Sequence, residues 1–189
     1  MFKRDSTTPI KNHLPTIIRL RQFSADWRGT MILSPCPTLN PLAHDNMDIF
    51  DQWSGADVRV VVTLLEKAEI KALGFELLAA HLSQSDILWH HLPIRNMEAP
   101  LTSQEPYLTE VIATMAHCLE ASKAVFIHCH AGLGRTGLIA ATALKSFGMT
   151  TDEAIQTIRT KRPGSIESAI QENFVEAWRF KLPYFPPRL

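Results

Sequence analysis

The sequence has no excess of either charge and contains few cysteines. Its 189 residues include 19 Lys and Arg and 19 Asp and Glu, so the formal net charge is zero. Nucleic-acid binders and proteins that bind anionic membranes normally carry a basic excess, so we expect neither kind of partner, and any anion site must be local. The three cysteines are Cys36, Cys118 and Cys129. This odd, sparse set is a poor disulfide framework and suits a reducing compartment.

Long apolar runs are also missing. No stretch approaches the roughly 18 apolar residues of a membrane-spanning helix. The N-terminus, MFKRDSTTP, carries positive charge but no apolar segment follows it, so a secretory signal is not supported. We therefore predict a cytoplasmic protein and expect it to be a monomer.

The composition and length favour a single domain. Hydrophobic residues make up 46% of the chain and charged residues 20%, which is enough for one core and argues against long disordered stretches. Residues 1–15 are polar and interrupted by proline, so we predict an N-terminal lead-in there and one domain over residues 16–189.

Strand-like and helix-like patterns alternate along the chain. Strands are predicted at Ile17–Leu20, Met31–Leu33, Val58–Leu65, Ile87–Leu92 and Ala124–His128. Helices are predicted at Met47–Trp53, at Lys67–Leu82 with a break at Gly74, at Thr136–Phe147 and at Ser168–Phe180. Two more helices are predicted to follow capping boxes at Thr102–Glu105 and Thr150–Glu153. This order predicts an α/β fold, with one central, mostly parallel sheet and helices on both faces.

The segment from His128 to Gly137, HCHAGLGRTG, carries the clearest chemical signal. A cysteine ends a predicted strand, two glycines follow, and an arginine six positions later opens a predicted helix. Such a loop can turn successive backbone N–H groups toward an anion, and the helix adds the positive end of its dipole. We expect the loop residues to bind phosphate, with Arg135 as a bidentate donor: His130, Ala131, Gly132, Leu133, Gly134 and Arg135.

The same surroundings favour a thiolate at Cys129, which would then lie under the bound phosphorus as a nucleophile. We expect the Thr136 hydroxyl to donate to this sulfur, and His128, at a buried strand end, to brace the loop by hydrogen bonding. Cys36 and Cys118 have no such context and are interpreted as small buried side chains.

Two further observations concern residues outside the loop. Glu66 ends the Val58–Leu65 strand, and the carboxyl ends of parallel strands share one edge of the sheet. Glu66 is therefore predicted to orient Arg135 or to line the rim, unless it is a solvated loop residue. His90 and His91 point to opposite faces of a strand, so they cannot bind one metal together, and we predict no metal and no cofactor.

These residues resemble the signature of the protein tyrosine phosphatase superfamily, His-Cys-x-x-Gly-x-x-Arg-[Ser/Thr]-Gly, at every motif position. Chain length and strand–helix order look like the dual-specificity branch, in particular bacterial relatives of kinase-associated phosphatase. The resemblance implies the cysteine-phosphatase fold, a phosphocysteine intermediate and no metal. It also implies that Gln171, in the segment AIQENFV, positions the hydrolytic water, although a glutamine on a helix surface is an equally simple interpretation.

The sequence departs from this family at the general acid. The resemblance places an aspartate on a loop about thirty residues before the cysteine, where this chain reads PIRNMEAP with Asn96 in the aspartate's place. An amide cannot donate a proton at neutral pH. Three readings stay open: Glu98 replaces the acid, Asn96 attenuates the activity by nature or by design, or the acid comes from elsewhere.

The leading hypothesis is a phosphomonoester hydrolase acting on phosphorylated protein, mainly at tyrosine, or on small aryl phosphates. The alternative is a phosphate-binding pseudophosphatase, weakened because Asn96 occupies the acid position. Sulfurtransferases of the rhodanese type and arsenate reductases also hold a cysteine in an anion loop, but the residues around Cys129 fit them less well.

Overall fold

The structure is a computed structural model that describes residues 14–23, 28–39 and 46–182. The lead-in predicted over residues 1–15 lies almost wholly outside these ranges. Within the described residues, five strands form one sheet: β1 Thr16–Arg19, β2 Thr30–Ser34, β3 Val58–Thr63, β4 Leu88–His91 and β5 Ala124–His128. Their spatial order is β1-β2-β5-β3-β4.

The sheet is mostly parallel, as predicted. Only the edge pair β1–β2 is antiparallel among the described strands, while β2, β5, β3 and β4 all run the same way. β3 and β5 consist largely of β-branched and aromatic residues that are buried on both faces, which is typical of central parallel strands.

Helices cover both faces of the sheet. In the described chain they are α1 Asn46–Gly55, α2 Lys67–Ala72, α3 Glu76–Leu82, α4 Glu105–Glu120, α5 Gly134–Ser146, α6 Thr151–Lys161 and α7 Ala169–Ala177. Side chains alternate along β3, so that Val60 and Val62 pack with α4, α5, α6 and α7 while Val61 packs with α1 and α3. The predicted fold class and the helix break at Gly74 are confirmed.

The two predicted capping boxes have different outcomes. At the start of α6, Thr150 and Glu153 exchange the expected hydrogen bonds between side chain and backbone. The box predicted at Thr102–Glu105 is wrong: a 3₁₀ turn precedes α4, and the Gln104 side chain, not Glu105, accepts from the N–H of Leu101 at 2.8 Å. The extra turn shifts the register of the cap by one residue.

The central strand β5 places the motif at the middle of the sheet. It lies between β2 and β3, and it ends at His128, directly before the glycine-containing loop. The helix that follows, α5, is buried along nearly its whole length. The loop therefore joins the two most deeply buried elements of the fold. Among the described helices, none has the length and apolar character needed to cross a bilayer.

Candidate active site

A chain of hydrogen bonds holds His128 beneath the loop. The Trp89 indole N–H donates to the Thr63 hydroxyl at 2.9 Å, and that hydroxyl lies 2.8 Å from His128 Nε2. Because His128 is fully buried, loss of solvation lowers the pKa of its imidazole to about 3, and the ring is neutral at physiological pH. The neutral ring and the Thr63 hydroxyl share one hydrogen bond, and the tautomer of the ring decides which of the two donates. This supports the expected bracing role of His128.

The carbonyl groups of the loop are held on its outer side. The Cys36 N–H donates to the His130 carbonyl at 2.9 Å. The Arg162 guanidinium donates to the Gly132 carbonyl at 2.6 Å and to the Ala131 carbonyl at 3.3 Å. In a trans peptide the N–H points away from the preceding carbonyl, and the described chain contains no cis bond. The N–H groups of residues 131, 132 and 133 therefore face inward.

One of these inward N–H groups identifies what the loop surrounds. The Gly132 N–H donates to the Cys129 sulfur at 3.2 Å, and Cys129 is buried. The N–H groups of Ala131 and Leu133, on the same side, donate to no other described residue. Backbone donors that converge on a cysteine sulfur without further partners form an anion nest. The residues predicted to bind phosphate are thus arranged around Cys129.

The predicted hydrogen bond from Thr136 to the Cys129 sulfur is not present in this structure. Thr136 Oγ1 is buried and has no hydrogen-bond partner among the described residues, while the sulfur accepts from Gly132 instead. Thr136 lies in the first turn of α5, so its hydroxyl remains an unused donor next to the loop.

Arg135 is almost fully buried and paired with Glu69. Arg135 Nη1 donates to Glu69 Oε2 at 2.6 Å, and Nη2 donates to Oε1 at 2.8 Å. Nη1 also donates to the Ile94 carbonyl at 3.0 Å. Burial alone would lower the pKa of Arg135, but the hydrogen bonds and charge of Glu69 raise it, so the guanidinium keeps its charge.

The guanidinium has one edge left for a ligand. Its end-on edge, Nη1 and Nη2, is taken by Glu69. The side-on edge consists of Nε–H and the second N–H of Nη2, and Nε is buried with no hydrogen-bond partner among the described residues. Two parallel N–H groups of this kind match two phosphate oxygens.

Glu69, rather than Glu66, orients Arg135. Glu66 precedes α2, and its backbone N–H donates to Glu69 Oε2 at 2.9 Å. The carboxylate that reaches Arg135 is thus one helical turn beyond the predicted residue. Partial burial would raise the pKa of Glu69, but hydrogen bonds from Arg135 and from this N–H lower it below its usual range. The sequence signal for Glu69 was its position in the first turn of the helix after β3.

An open cavity of about 470 Å³ lies above the loop. Its lining includes Cys129, His130, Ala131 and Arg135 from the motif, together with Glu69, Asn96, Met97 and Glu167. Glu98 and Glu66 line a neighbouring cavity instead. Of the two candidates on the predicted acid loop, the structure therefore brings Asn96 to Cys129 and places Glu98 elsewhere.

Gln171 lies beside the loop, as expected from the resemblance. It is fully buried, its Nε2 donates to the Glu98 carbonyl at 3.3 Å, and its Oε1 accepts from the Glu167 N–H at 2.9 Å. A Cβ placed on Gly134 would lie 3.0 Å from the Gln171 amide atoms. The reading of Gln171 as a helix-surface residue is wrong, since its side chain connects α7 to both loops.

Sequence reasoning missed two further residues. Arg162 carries in the sequence only the signal of a cation at a helix end, whereas it is buried and donates to loop carbonyls, to the Leu14 carbonyl and to the Thr16 hydroxyl. Glu167 carried no recognisable signal, and its Oε2 accepts from the Gly134 N–H at 2.8 Å. Arg162 directly follows α6, and Glu167 comes after the turn at Pro163 and Gly164. The sequence alone indicates this segment only as a turn.

The other cysteines and the histidines do not suggest a second reactive centre. Burial raises the pKa of the Cys36 thiol, and it raises the pKa of Cys118 to about 11, so both are neutral thiols. Within residues 14–23, 28–39 and 46–182, no group of three His, Cys, Asp or Glu side chains is placed to hold a metal ion.

Comparison with known proteins identifies the family. A family model described as the DSP-PTPase phosphatase of polymorphic toxin systems matches residues 41–149, more than half of the chain. The chain belongs to this family. Its predicted membership of the dual-specificity branch of the protein tyrosine phosphatase superfamily is thereby confirmed.

Individual relatives agree with this placement. The chain is 31% identical over 132 residues to the mouse protein tyrosine phosphatase domain-containing protein 1, covering 64% of this chain but 17% of that protein. It is 25% identical over 181 residues to human cyclin-dependent kinase inhibitor 3, covering 94% of this chain and 82% of that protein.

Solved structures share the fold. Kinase associated phosphatase, with its catalytic-site cysteine substituted by serine, superposes with a TM-score of 0.73 at 21% identity, covering 92% of this chain and 96% of that one. The active form of Tk-PTP superposes with a TM-score of 0.59 at 26% identity, covering 77% and 90%. The predicted cysteine-phosphatase fold is confirmed.

Proposed function

We propose that this protein hydrolyses phosphomonoesters, with phosphorylated protein at tyrosine or small aryl phosphates as substrates, through a phosphocysteine intermediate on Cys129. The observation that carries the proposal is the Gly132 N–H that donates to the Cys129 sulfur, with the N–H groups of residues 131 and 133 on the same side and the unpartnered Nε of Arg135 in the same site. A phosphate dianion placed there would meet donors from the backbone and from the guanidinium at once.

The chemistry follows from this placement. The Cys129 sulfur attacks phosphorus, the S–P bond forms as the P–O bond to the leaving group breaks, and the ester oxygen departs on the opposite side, taking a proton from an acidic group or from water. Water then attacks the same phosphorus from the vacated side and gives up one proton to a base or to solvent, the S–P bond breaks, and inorganic phosphate and the thiolate are released. The backbone donors and Arg135 stabilise the charge on the non-bridging oxygens in both steps.

The expected preference for aryl esters rests on the leaving group. Phenolate is a much better leaving group than a serine alkoxide when proton donation is weak. Asn96 lines the cavity where the family resemblance implies an aspartate. Aryl phosphates are therefore expected to be the better substrates.

Asn96 also supports the second candidate, a pseudophosphatase that binds phosphate but turns it over poorly. The retained Cys129 favours the enzyme, since a binding module has no need of a nucleophile. Turnover of p-nitrophenyl phosphate by the wild-type protein, with Cys129→Ser inactive but still able to bind phosphate, would support the enzyme. Phosphate binding without turnover would support the pseudophosphatase.

Two further assays test for sulfurtransferase and arsenate reductase activity. The same protein incubated with thiosulfate and cyanide, or with arsenate and a thiol reductant, should show no Cys129-dependent turnover. Activity on either substrate that exceeds activity on the aryl phosphate would overturn the proposal.

A further inference from the structure

The cavity contains two carboxylates from the described residues, and only one has an oxygen to spare. Both oxygens of Glu69 accept from Arg135, and one also accepts from the backbone N–H of Glu66. A proton on Glu69 would break the ion pair that orients the guanidinium. Glu69 is thus unsuited to donate protons. Glu167 is the other carboxylate that lines the cavity, and its Oε1 makes no hydrogen bond with a described residue.

Glu167 is in direct contact with the phosphate-binding loop. Its Oε2 accepts from the Gly134 N–H at 2.8 Å, which is one of the donors at the start of α5. A Cβ on Gly134 would come within 2.4 Å of this oxygen, so the glycine makes the approach possible. Glu167 as a whole is exposed to solvent.

The backbone around Glu167 is fixed rather than free. Ile166 has a φ of +59°, an unfavourable conformation for a β-branched residue, and its carbonyl accepts from Arg159 Nη2 at 3.1 Å. The Glu167 N–H donates to Gln171 Oε1 at 2.9 Å. These contacts hold the carboxylate toward the loop from the side of α7, at a strained position of the kind that functional sites often retain.

We propose that Glu167 is the proton donor to the leaving group, in place of the aspartate that Asn96 replaces; this rests on the proposed function. A phosphate dianion at the loop competes with the carboxylate for the Gly134 N–H, and two anions this close disfavour each other. This competition releases Glu167 from Gly134, and the freed carboxyl group swings toward the ester oxygen, to which it delivers its proton.

The proton balance closes over one cycle. In the first step the carboxylic proton moves to the ester oxygen as the P–O bond breaks and the S–P bond forms. In the second step the carboxylate accepts a proton from the attacking water, which enters where the leaving group departed. Gln171, whose Oε1 accepts from the Glu167 N–H, holds the backbone of Glu167 in place through both steps. One carboxyl thus serves as acid and then as base.

The experiment compares kcat/KM for two esters in the wild type and in Glu167→Gln. The amide keeps the shape and can still accept from Gly134, but it cannot donate a carboxylic proton. We expect kcat/KM to fall by about 10²-fold for phenyl phosphate and by less than about threefold for p-nitrophenyl phosphate, whose leaving group needs little protonation. The basic limb of the pH profile for phenyl phosphate should disappear in the variant.

The matched control is Glu176→Gln, an exposed glutamate on α7 outside the cavity, which removes the same charge. It should match the wild type on both esters. Equal losses for both esters in Glu167→Gln, or no loss, would overturn the proposal for Glu167. Absence of Cys129-dependent turnover in the wild type would instead overturn the proposed function, so the two failures are distinguishable.

A second variant, in the phosphate-binding loop, also tests whether Glu167 acts from its position beside Gly134. Gly134 does not have a positive φ, and a methyl group there would meet flexible side-chain ends rather than backbone. Gly134→Ala should therefore fold and should displace the Glu167 carboxylate. It should show the same selective loss on phenyl phosphate. If Gly134→Ala folds and retains wild-type kcat/KM on phenyl phosphate, Glu167 does not act from this position.

Discussion

Two loops border the cavity, and they are held in place by different means. In the phosphate-binding loop, the carbonyls of residues 130, 131 and 132 all accept hydrogen bonds, from Cys36 and from the buried Arg162. In the acid loop, residues 93–100, the four residues from Arg95 to Glu98 are exposed, and the Asn96 side chain makes no hydrogen bond with a described residue.

The exposed part of the acid loop, residues 95–98, is attached to the body of the protein by α7 and by the residue that caps it. The Ser168 hydroxyl donates to the Met97 carbonyl at 2.6 Å, and Gln171 donates to the Glu98 carbonyl. The phosphate-binding loop is therefore built into the core, while residues 95–98 form a surface that can change without loss of the fold. This difference explains how Asn96 can stand at the acid position in a chain whose phosphate loop is intact.

The largest effect is expected for Arg135→Lys in the phosphate-binding loop. A lysine cannot pair with Glu69 at two points and at the same time offer two parallel donors to phosphate. We expect turnover of p-nitrophenyl phosphate to fall by about 10³-fold, as for the loss of key donors to a developing charge. The measurement is kcat/KM with phosphate affinity determined alongside. A loss below about tenfold would mean that the guanidinium fork is not used.

The next largest effect is expected for Gly132→Ala, with Gly74→Ala as its control. Both glycines have a positive φ, +71° and +64°, so both substitutions carry a similar backbone strain. A Cβ on Gly132 would lie 2.3 Å from the Ser34 carbonyl carbon, whereas nothing lies within 4 Å of one on Gly74. The loop must therefore shift in Gly132→Ala.

We expect Gly132→Ala to reduce kcat/KM for p-nitrophenyl phosphate by about 10²-fold, because a displacement of roughly 1 Å at a reacting centre has such consequences. Gly74→Ala should leave kcat/KM unchanged and reduce only stability. Equal activities in the two variants would show that close packing against Ser34 does not set the geometry of the loop.

A gain of about tenfold is expected for Asn96→Asp in the acid loop. Asn96 lines the Cys129 cavity, so an aspartate there would add a second proton donor. The gain in kcat for phenyl phosphate should be larger in the Glu167→Gln background, where the first donor is missing. Glu98→Gln should have little effect, because Glu98 lines the neighbouring cavity. No gain in either background, with a loss in Glu98→Gln, would reverse this assignment.

The sequence predicts the phosphate-binding loop and the central strands well. Cys129, Gly132 and Arg135 are close in sequence, and a strand, a turn and a helix start dictate their relation locally. The central strands predicted at Val58–Leu65 and Ala124–His128 are equally clear, since runs of buried β-branched residues admit few alternatives, although the first strand ends two residues earlier, at Thr63.

The partners of the loop could not be predicted in the same way. Glu69 and Arg162 lie 66 and 30 residues from their contacts in the motif, and tertiary packing decides which carboxylate or guanidinium reaches them. The strand edge predicted that Glu66 would orient Arg135, but the residue that does so is Glu69, one helical turn further along the chain. The position of Glu167 depends on the left-handed backbone conformation of Ile166, which no sequence pattern predicts.

The smallest expected effect concerns His128 below the phosphate loop. Its pKa is about 3 in the folded protein and about 6.5 when unfolded, so between these values the unfolded chain binds a proton that the folded chain does not. Stability contributed by neutral His128 is present above about pH 6.5 and is lost as the pH falls. The free energy of unfolding should decline by up to about 1.4 kcal/mol per pH unit from this residue.

Urea unfolding at pH 6.5 and pH 5 in the wild type and in His128→Gln measures that contribution. The decline should be clearly shallower in the variant, which cannot titrate at this position. Identical slopes would mean that His128 is not held neutral, and the phosphate loop would then rest on a less rigid support than its hydrogen bonds indicate.

The most direct test of the account is to trap the covalent intermediate. The wild-type protein is mixed with p-nitrophenyl phosphate, quenched in acid within the first turnovers, and digested for mass spectrometry. The account predicts phosphate on the peptide that contains Cys129, none on those with Cys36 or Cys118, and none anywhere in Cys129→Ser. Turnover in the wild type that persists in Cys129→Ser, with no phosphate on any cysteine, would contradict it.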